Sequence, residues 1–209
     1  MQSKWLTFKL ECLCALCQMG NLKPLKLLET SRLLLREFVE QDAQLLFDLD
    51  SDAEVMRFIS KGQPTDMARI QNVIIPKFLN YYKLSPPRGF WAAHELGNDE
   101  FIGWFHMRPD IYQPEEMELG YRLKRSAWGR GFATELSRAL VEKALGPWGY
   151  EKVSARTLEV NRASQRVMEK AGLIFETKFL FHTETLPDWT EEERRGVKYG
   201  LTREQFKKS

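Results

Sequence analysis

Cysteine is almost absent from this chain of 209 residues, since its three cysteines, Cys12, Cys14 and Cys17, all lie in the first 20 positions. Small secreted domains depend on disulfides spread through the fold, so a body without cysteine indicates a reducing cytoplasm. Three clustered thiols with no fourth ligand nearby make a poor zinc site. We therefore expect a cytoplasmic protein without a bound metal.

An excess of one charge and a long apolar run are also missing. The 31 Lys and Arg residues nearly balance 29 Asp and Glu residues, for a net charge of +2. This balance gives no electrostatic reason to expect a nucleic acid or an anionic membrane as a partner. No segment approaches the ~18 apolar residues that a membrane span needs. Lys9 and Glu11 interrupt the apolar start and no small-residue cleavage site follows, so a signal peptide is not expected.

The material for a core is plentiful, because 43% of the residues are hydrophobic and 12% are aromatic. The length suits one domain with appendages. The sequence becomes regular after Pro24, and it contains no internal repeat. We therefore predict a poorly ordered N-terminal extension at 1–28 and a single domain at 29–205.

The hydrophobic periodicity alternates between the strand and helix patterns. Strands are predicted at 33–38, 90–95, 101–107, 116–123, 152–158, 173–182 and 197–201. Helices are predicted at 40–50, 52–58, 65–83, 133–145 and 161–171. We expect Thr65 to cap its helix, and Pro76 to kink that helix or break it just before the proline. The order of elements predicts an α/β (α+β) fold, with a mixed, mostly antiparallel sheet of about six to seven strands and helices on both faces.

The segment at 118–135, ELGYRLKRSAWGRGFATE, is typical of a strand, a glycine-rich turn and a helix. Gly129 and Gly131 permit close backbone approach, and the helix that follows has free N–H groups in its first turn. Such a helix start binds anions, so a diphosphate fits here, with Arg125 or Arg130 as added charge. A plain strand-to-helix turn has the same pattern. The spacing is neither that of the dinucleotide-binding fingerprint nor that of a Walker loop.

Three stretches of this sequence together resemble one family. WGRGFATEL is followed about 30 residues later by NRASQRVMEKAG, and the domain opens with TSRLLLREFVEQDAQLLFDL. In this order they are similar to the GNAT acetyltransferase superfamily, and most similar to its ribosomal-protein N-terminal acetyltransferases of the RimJ/RimL type. The resemblance spans about 29–203. It implies the GNAT fold, acetyl-CoA as co-substrate, and transfer of an acetyl group to a primary amine.

The resemblance also implies which residues bind the co-substrate. The family's acyl-CoA loop falls on 126–131, where Ser126 departs from the usual Arg or Gln. The strand before the loop would pair with the pantetheine arm, and Asn161 would bind or organise that arm, although a helix N-cap is an equal interpretation of Asn161. The expected binding residues are Gly120, Tyr121, Arg122, Leu123, Trp128, Gly129, Arg130, Gly131, Phe132, Ala133, Thr134, Asn161 and Arg166.

Acetyl transfer needs a neutral amine and a protonated leaving thiolate, which calls for a general base and an acid. Glu118 is the predicted base, because the family often has a carboxylate on this strand; an exposed strand glutamate is the alternative. Alternation puts Glu118 and Gly120 on one face of the strand, with Leu119 and Tyr121 on the other. Glu159 is a weaker second candidate.

His106 is another candidate for the general base, because histidine often has this role. The favoured interpretation is a structural histidine at a strand end whose ring nitrogens are hydrogen-bonded. For the acid, many relatives carry a tyrosine where this chain has Met168. That departure leaves Ser164 or a water molecule as the proton donor.

The acceptor is expected to contact the variable segments, which are the helices at 40–83, the loop at 108–116 and the connection at 183–196. The subgroup resemblance implies a protein or peptide N-terminus as acceptor. A small amine such as an amino acid, polyamine or aminoglycoside stays open, as does a non-catalytic acetyl-CoA sensor. A monomer and a homodimer fit the sequence equally.

Overall fold

The structure, a computed structural model, describes residues 24–208. Eight strands form one sheet: β1 (Lys26–Glu29), β2 (Leu33–Glu37), β3 (Gly89–Glu95), β4 (Glu100–Pro109), β5 (Met117–Leu123), β6 (Lys152–Leu158), β7 (Ile174–Leu180) and β8 (Arg195–Thr202). The helices are α1 (Ala43–Asp50), α2 (Ala53–Ser60), α3 (Met67–Arg69), α4 (Ile75–Tyr81), α5 (Phe132–Leu145), α6 (Arg162–Lys170) and α7 (Arg203–Lys208). No helix in this part of the chain is both long and apolar enough to cross a membrane.

The strand order in the sheet is β1-β2-β3-β4-β5-β6-β8-β7. Every neighbouring pair is antiparallel except β5 and β6, which are parallel. The predicted mixed and mostly antiparallel sheet is confirmed. The parallel pair is joined by α5, because parallel strands need a long crossover connection.

Helices cover both faces of the sheet, as predicted. On one face the helices α1 to α4 pack on a core that includes Phe38, Leu46, Ile70, Phe78 and Phe90. On the other face α5 and α6 pack on a larger core that is continuous with β4, β5 and β6. A fully buried aliphatic or aromatic side chain stabilises the fold by ~1.5–3 kcal/mol, so these two cores hold the sheet between them.

The sheet begins earlier in the chain than predicted. Strand β1 lies at Lys26–Glu29, so its first three residues fall in the segment assigned to the extension, and it pairs with β2. Leu28, which is 6% exposed, anchors it in the core. A strand of four residues is too short to show an alternation in sequence, which explains the missed eighth strand. The three cysteines lie outside the described residues.

The helical segment that contains Pro76 is interrupted before the proline. A wider π-helical turn at Ile70–Ile74 separates α3 from α4, and Pro76 lies in the first turn of α4. The proline lacks an N–H and crowds the preceding turn, so the break is as predicted. The predicted cap was wrong, because Asp66 caps α3 by accepting a hydrogen bond from the amide of Ala68, while Thr65 donates to Asp50.

Candidate active site

The strands β5 and β6 form a fork. They pair at two positions, Met117 with Val153 and Glu118 with Ser154, and then diverge. Beyond Glu118 the edge of β5 from 119 to 123 therefore has no neighbouring strand on the β6 side. Backbone groups on an open strand edge pair with any extended chain that lies beside them.

The glycine turn lies between this open edge and α5. Gly129 and Gly131 have φ values of +73° and +80°, a conformation that glycine adopts without strain. Gly131 is the N-cap of α5 and no side chain caps the helix, so its first-turn amides have no intrahelical partner. A Cβ at Gly129 would meet nothing within 4 Å, and one at Gly131 would meet Arg32 alone, at 3.5 Å. This open cradle of amides and the helix dipole fit a diphosphate.

The two arginines predicted to add charge to this cradle are ion-paired elsewhere. The Nε of Arg125 lies 2.7 Å from the carboxylate of Asp52, the N-cap of α2. Arg130 makes a two-pronged contact with Glu95, and its guanidinium lies 4.3 Å from the centre of the Phe132 ring. The sequence showed their charge but not these partners, which come from distant parts of the chain.

Trp128, another predicted binding residue, connects the turn to the fork. Its indole Nε1 donates a hydrogen bond of 2.9 Å to the carbonyl of Leu123, the last residue of β5. This bond holds the glycine turn against the end of the open edge. Trp128 is 48% exposed, so part of its surface is available to a ligand.

Glu118 lies at the fork and is not the exposed strand glutamate of the alternative interpretation. Its side chain is 13% exposed. Burial raises the pKa of its carboxyl, while the positive charge of Arg108 opposes that rise. The Nη2 of Arg108 lies 2.5 Å from its Oε2. The N–H groups of Arg108 are not aligned for a hydrogen bond to Oε2. No other group within residues 24–208 donates a hydrogen bond to this oxygen.

His106 lies beside Glu118, with Nε2 3.9 Å from Oε2. The expectation of a satisfied histidine at a strand end was wrong. His106 lies inside β4, is buried, and neither ring nitrogen has a hydrogen-bond partner in the described part of the chain. Burial lowers the pKa of His106 well below its ordinary value, and the charges of Arg108, Lys77 and Arg122 lower it further. The imidazole is therefore neutral, which makes it unsuitable as a charged acid.

The predicted division of β5 into two faces is confirmed. Three residues of β4 pair directly with three residues of β5: Trp104 with Arg122, His106 with Gly120, and Arg108 with Glu118. These positions share the face of the sheet that α1 to α4 cover. Leu119 and Tyr121 belong to the core on the α5 face.

Ser164 lies on the other side of β5 from Glu118. Burial raises the pKa of the Tyr121 phenol, and an interaction with the side chain of Ser164 opposes that rise, which places the two side chains near each other. The side chain of Asn161 caps α6 by accepting a 3.2 Å hydrogen bond from the amide of Ser164. The structure thus brings Asn161, Ser164 and Tyr121 together, but it does not bring the two predicted catalytic groups onto one face. Met168 is 4% exposed and belongs to the core.

Two other predicted residues lie away from the fork's buried carboxylate. Glu159 follows β6, is partly buried and forms an ion pair of 2.6 Å with Lys178, whose hydrogen bond lowers the pKa of the glutamate. A lowered pKa makes a carboxylate a weaker proton acceptor, so Glu159 stays the weaker candidate for the base. Arg166 is exposed on α6.

The three variable segments contact one another. The hydroxyls of Tyr112 and Thr185 lie 3.2 Å apart, which joins the loop at 108–116 to the connection at 183–196. Lys61, at the end of α2, contacts Glu193 at 2.9 Å and lies 5.2 Å from the centre of the Trp189 ring. Both the loop and the helices at 40–83 therefore contact the connection at 183–196.

Arg108 is the residue that the sequence patterns did not indicate. Its position two residues after His106 puts it on the same face of β4, but its opposition to Glu118 depends on the register of the β4–β5 pair. Register follows from turn geometry and burial, neither of which the loop at 108–116 reveals. Within residues 24–208, no cluster of three or more His, Cys, Asp or Glu side chains could hold a metal ion.

Comparison with known proteins identifies the family. The sequence model of the acetyltransferase (GNAT) domain matches residues 32–174. An Aspergillus fumigatus protein named FsC-acetyl coenzyme A-N(2)-transacetylase is 30% identical over 187 residues, covering 86% of this chain and 77% of its own length.

Solved structures share the fold at lower identity. A GNAT-family acetyltransferase from Bacillus anthracis superimposes with a TM-score of 0.71 at 20% identity, covering 86% of this chain and 99% of its own. A spermidine N-acetyltransferase from Vibrio cholerae in complex with CoA and spermine has a TM-score of 0.66 at 13% identity, over 85% and 99% of the two chains. The chain described here belongs to the GNAT acetyltransferase family, and it is an N-acetyltransferase with acetyl-CoA as its co-substrate.

Proposed function

We propose that the fork between β5 and β6 is the acetyl-transfer site, with Glu118 as the general base. The observation that carries this proposal is the divergence of the two strands after Glu118, which opens a strand edge beside a buried carboxylate. The open edge at 119–123 would bind the pantetheine arm through main-chain contacts. The amides at 129–134 would hold the diphosphate, since a helix start with free N–H groups favours anions.

Acetyl-CoA, when bound, supplies an activated acetyl thioester: a carbon–nitrogen bond forms to the amine as the carbon–sulfur bond breaks, and coenzyme A leaves as a thiol. Glu118 accepts the proton that the acceptor ammonium must lose. Its raised pKa makes it a stronger base than an ordinary glutamate. Its Oε2 has no aligned donor within the described chain, so an incoming ammonium would satisfy a buried acceptor atom.

Ser164 is the proposed proton donor to the leaving thiolate. The serine would regain its proton from solvent after coenzyme A leaves, so Ser164 takes the role for which many relatives use a tyrosine. Ser164 and Glu118 lie on opposite sides of β5. The acid and the base can then act from two sides of the fork on the same reacting group.

We propose a small-molecule primary amine as acceptor. This proposal is supported by contacts among the three segments that are expected to surround the acceptor. Tyr112 of the loop at 108–116 contacts Thr185, and Lys61 after α2 contacts Glu193. Segments tied to one another enclose a small ligand more readily than a folded protein surface. The name of the relative from Aspergillus fumigatus also contains acetyl coenzyme A and the nitrogen position N(2). A protein N-terminus, which the RimJ/RimL resemblance implies, is the second candidate, because a flexible chain end can enter the same opening.

Thiol release from acetyl-CoA tests the proposal. The panel would contain amino acids, a polyamine, an aminoglycoside and short peptides with a free or a blocked N-terminus. We expect turnover with one class of small amine and a lower kcat/KM for the peptides. Turnover of free-N-terminus peptides alone would favour the second candidate. Binding of CoA without turnover of any amine would contradict catalysis at this fork.

A further inference from the structure

The contact between Arg108 and Glu118 opposes the role proposed for Glu118. The guanidinium lies 2.5 Å from Oε2, and both side chains are largely buried, at 17% and 13% exposure. An adjacent positive charge stabilises the ionised carboxylate and makes it a weaker proton acceptor. Arg108 also occupies the space beside Oε2, the buried oxygen without an aligned donor that the proposed function assigns to the incoming ammonium. Full activity of the base therefore requires that Arg108 move away.

Arg108 has few partners within residues 24–208. Its guanidinium lies 2.5 Å from Oε2 of Glu118, and its Nη1 donates a 3.1 Å hydrogen bond to the carbonyl of Pro109. Arg122, on the same face, differs because Asp50 pairs with it and Trp104 stacks on it. If the acceptor ammonium replaces Arg108 as the partner of Glu118, the guanidinium keeps only the neutral hydrogen bond to Pro109 among these contacts and can turn to another anion.

The three cations that influence His106 outnumber by one the carboxylates paired with them. Arg108, Lys77 and Arg122 are close enough to lower the pKa of His106, and the carboxylates that face them are Glu118 and Asp50. Lys77 is exposed on α4 and has no ion pair within residues 24–208. When the acceptor ammonium takes Glu118 as its partner, Arg108 and Lys77 are both left without an anion.

We propose that Arg108 determines acceptor specificity, and that the preferred acceptors are amines that also carry a carboxylate. The acceptor carboxylate draws the guanidinium of Arg108 away, with Lys77 as a second cation, while its ammonium approaches the freed Glu118. The proton of the ammonium passes to the carboxylate of Glu118, and the neutral nitrogen is then the nucleophile of the reaction given above. This inference rests on the proposed function of the fork.

Matched pairs of acceptors test the proposal. The pairs are 4-aminobutyrate and 6-aminohexanoate with their carboxamides, and alanine with alaninamide, each compared after correction for the fraction of neutral amine. A charge-assisted hydrogen bond changes binding by ~1.5–3 kcal/mol, so kcat/KM for the best carboxylate should exceed that for its amide by about tenfold or more. Equal values for all three pairs would overturn the proposal.

Two substitutions separate specificity from a structural role. In Arg108→Gln we expect the ratio of kcat/KM for the carboxylate to kcat/KM for its amide to fall close to one. Arg108→Lys should restore part of the preference. Arg57→Gln, which removes an exposed arginine on α2, should leave the preference unchanged. A loss in Arg108→Gln that is equal for acid and amide would show a structural role and contradict the proposal.

Calorimetry gives a readout that does not depend on turnover. The same pairs are titrated into protein saturated with CoA, and the carboxylates should bind about tenfold tighter or more to wild type but not to Arg108→Gln. Equal binding within each pair would overturn the inference. If thiol release occurs with other amines while no pair shows a preference, this inference fails and the proposed function stands. If CoA itself does not bind, the proposed function fails first.

Discussion

Gly120 lies directly opposite His106 in the β4–β5 pair, and a Cβ at position 120 would come within 2.5 Å of the imidazole Nε2. Because position 120 has no side chain, the neutral imidazole can lie against β5 beside Glu118. Gly120 thus makes room for His106 on one face of the strand, and its backbone also belongs to the open edge at 119–123.

The substitution Gly120→Ala should therefore displace His106. Forcing an extra methyl into a packed site costs ~1–3 kcal/mol, and we expect that loss in the free energy of unfolding, with a lower kcat. Urea unfolding and thiol release measure the two effects. In the double variant Gly120→Ala/His106→Ala the clash is removed, so the two changes should be less destabilising together than the sum of each alone. Additive values would show that the imidazole is not what the new methyl meets.

Replacement of the base should affect catalysis and not co-substrate binding. Glu118→Gln keeps the shape of the side chain but cannot accept the proton, so kcat/KM should fall by ~10²–10⁴. The Kd for CoA, measured by calorimetry, should change less than about twofold. Glu159→Gln is the matched control, since that carboxylate is paired with Lys178 and should be dispensable. Unchanged kinetics in Glu118→Gln at saturating acetyl-CoA would remove Glu118 from the base role.

The diphosphate cradle can be tested by adding charge and bulk to it. Gly131→Asp puts a carboxylate at the start of α5, and we expect CoA binding to be lost. The φ of +80° makes any side chain strained there, so Gly149→Asp, with a φ of +75° away from the cradle, is the control for strain. If both variants fold by circular dichroism and both still bind CoA, the cradle does not hold the diphosphate.

The charge of Arg108 should be visible in the pH dependence of the reaction. Arg108 lowers the pKa of Glu118 while burial raises it, so removal of the arginine leaves burial unopposed. The carboxyl of Glu118 then ionises at higher pH, and the acidic limb of the kcat/KM profile should move to higher pH in Arg108→Gln. The amide acceptors are used for this profile because their binding does not need Arg108. An unmoved limb, with Arg57→Gln as reference, would mean that the limb reports another group.

Local patterns were sufficient for most elements of the fold. The bounds of β6 were predicted to the residue and those of β3 to within one residue, because both depend on neighbours in sequence. The cap of α3 was assigned to the wrong residue, since Thr65 finds a partner in Asp50 that lies in another helix. The short strand β1 was missed because its stability comes from pairing with β2 and from the burial of Leu28.

The sequence by itself determined the family, the order of the elements, the glycine turn before α5 and the face of β5 that carries Glu118. These follow from residue types and from spacing along the chain, which backbone geometry converts directly into helix starts and strand faces. Only the tertiary structure decided the fork after Glu118, the pairing of Arg108 with that carboxylate, the commitment of Arg125 and Arg130 to acidic partners, and the burial of His106. Each of these joins segments distant in the chain, and the charge state and availability of a side chain depend on its neighbours in space.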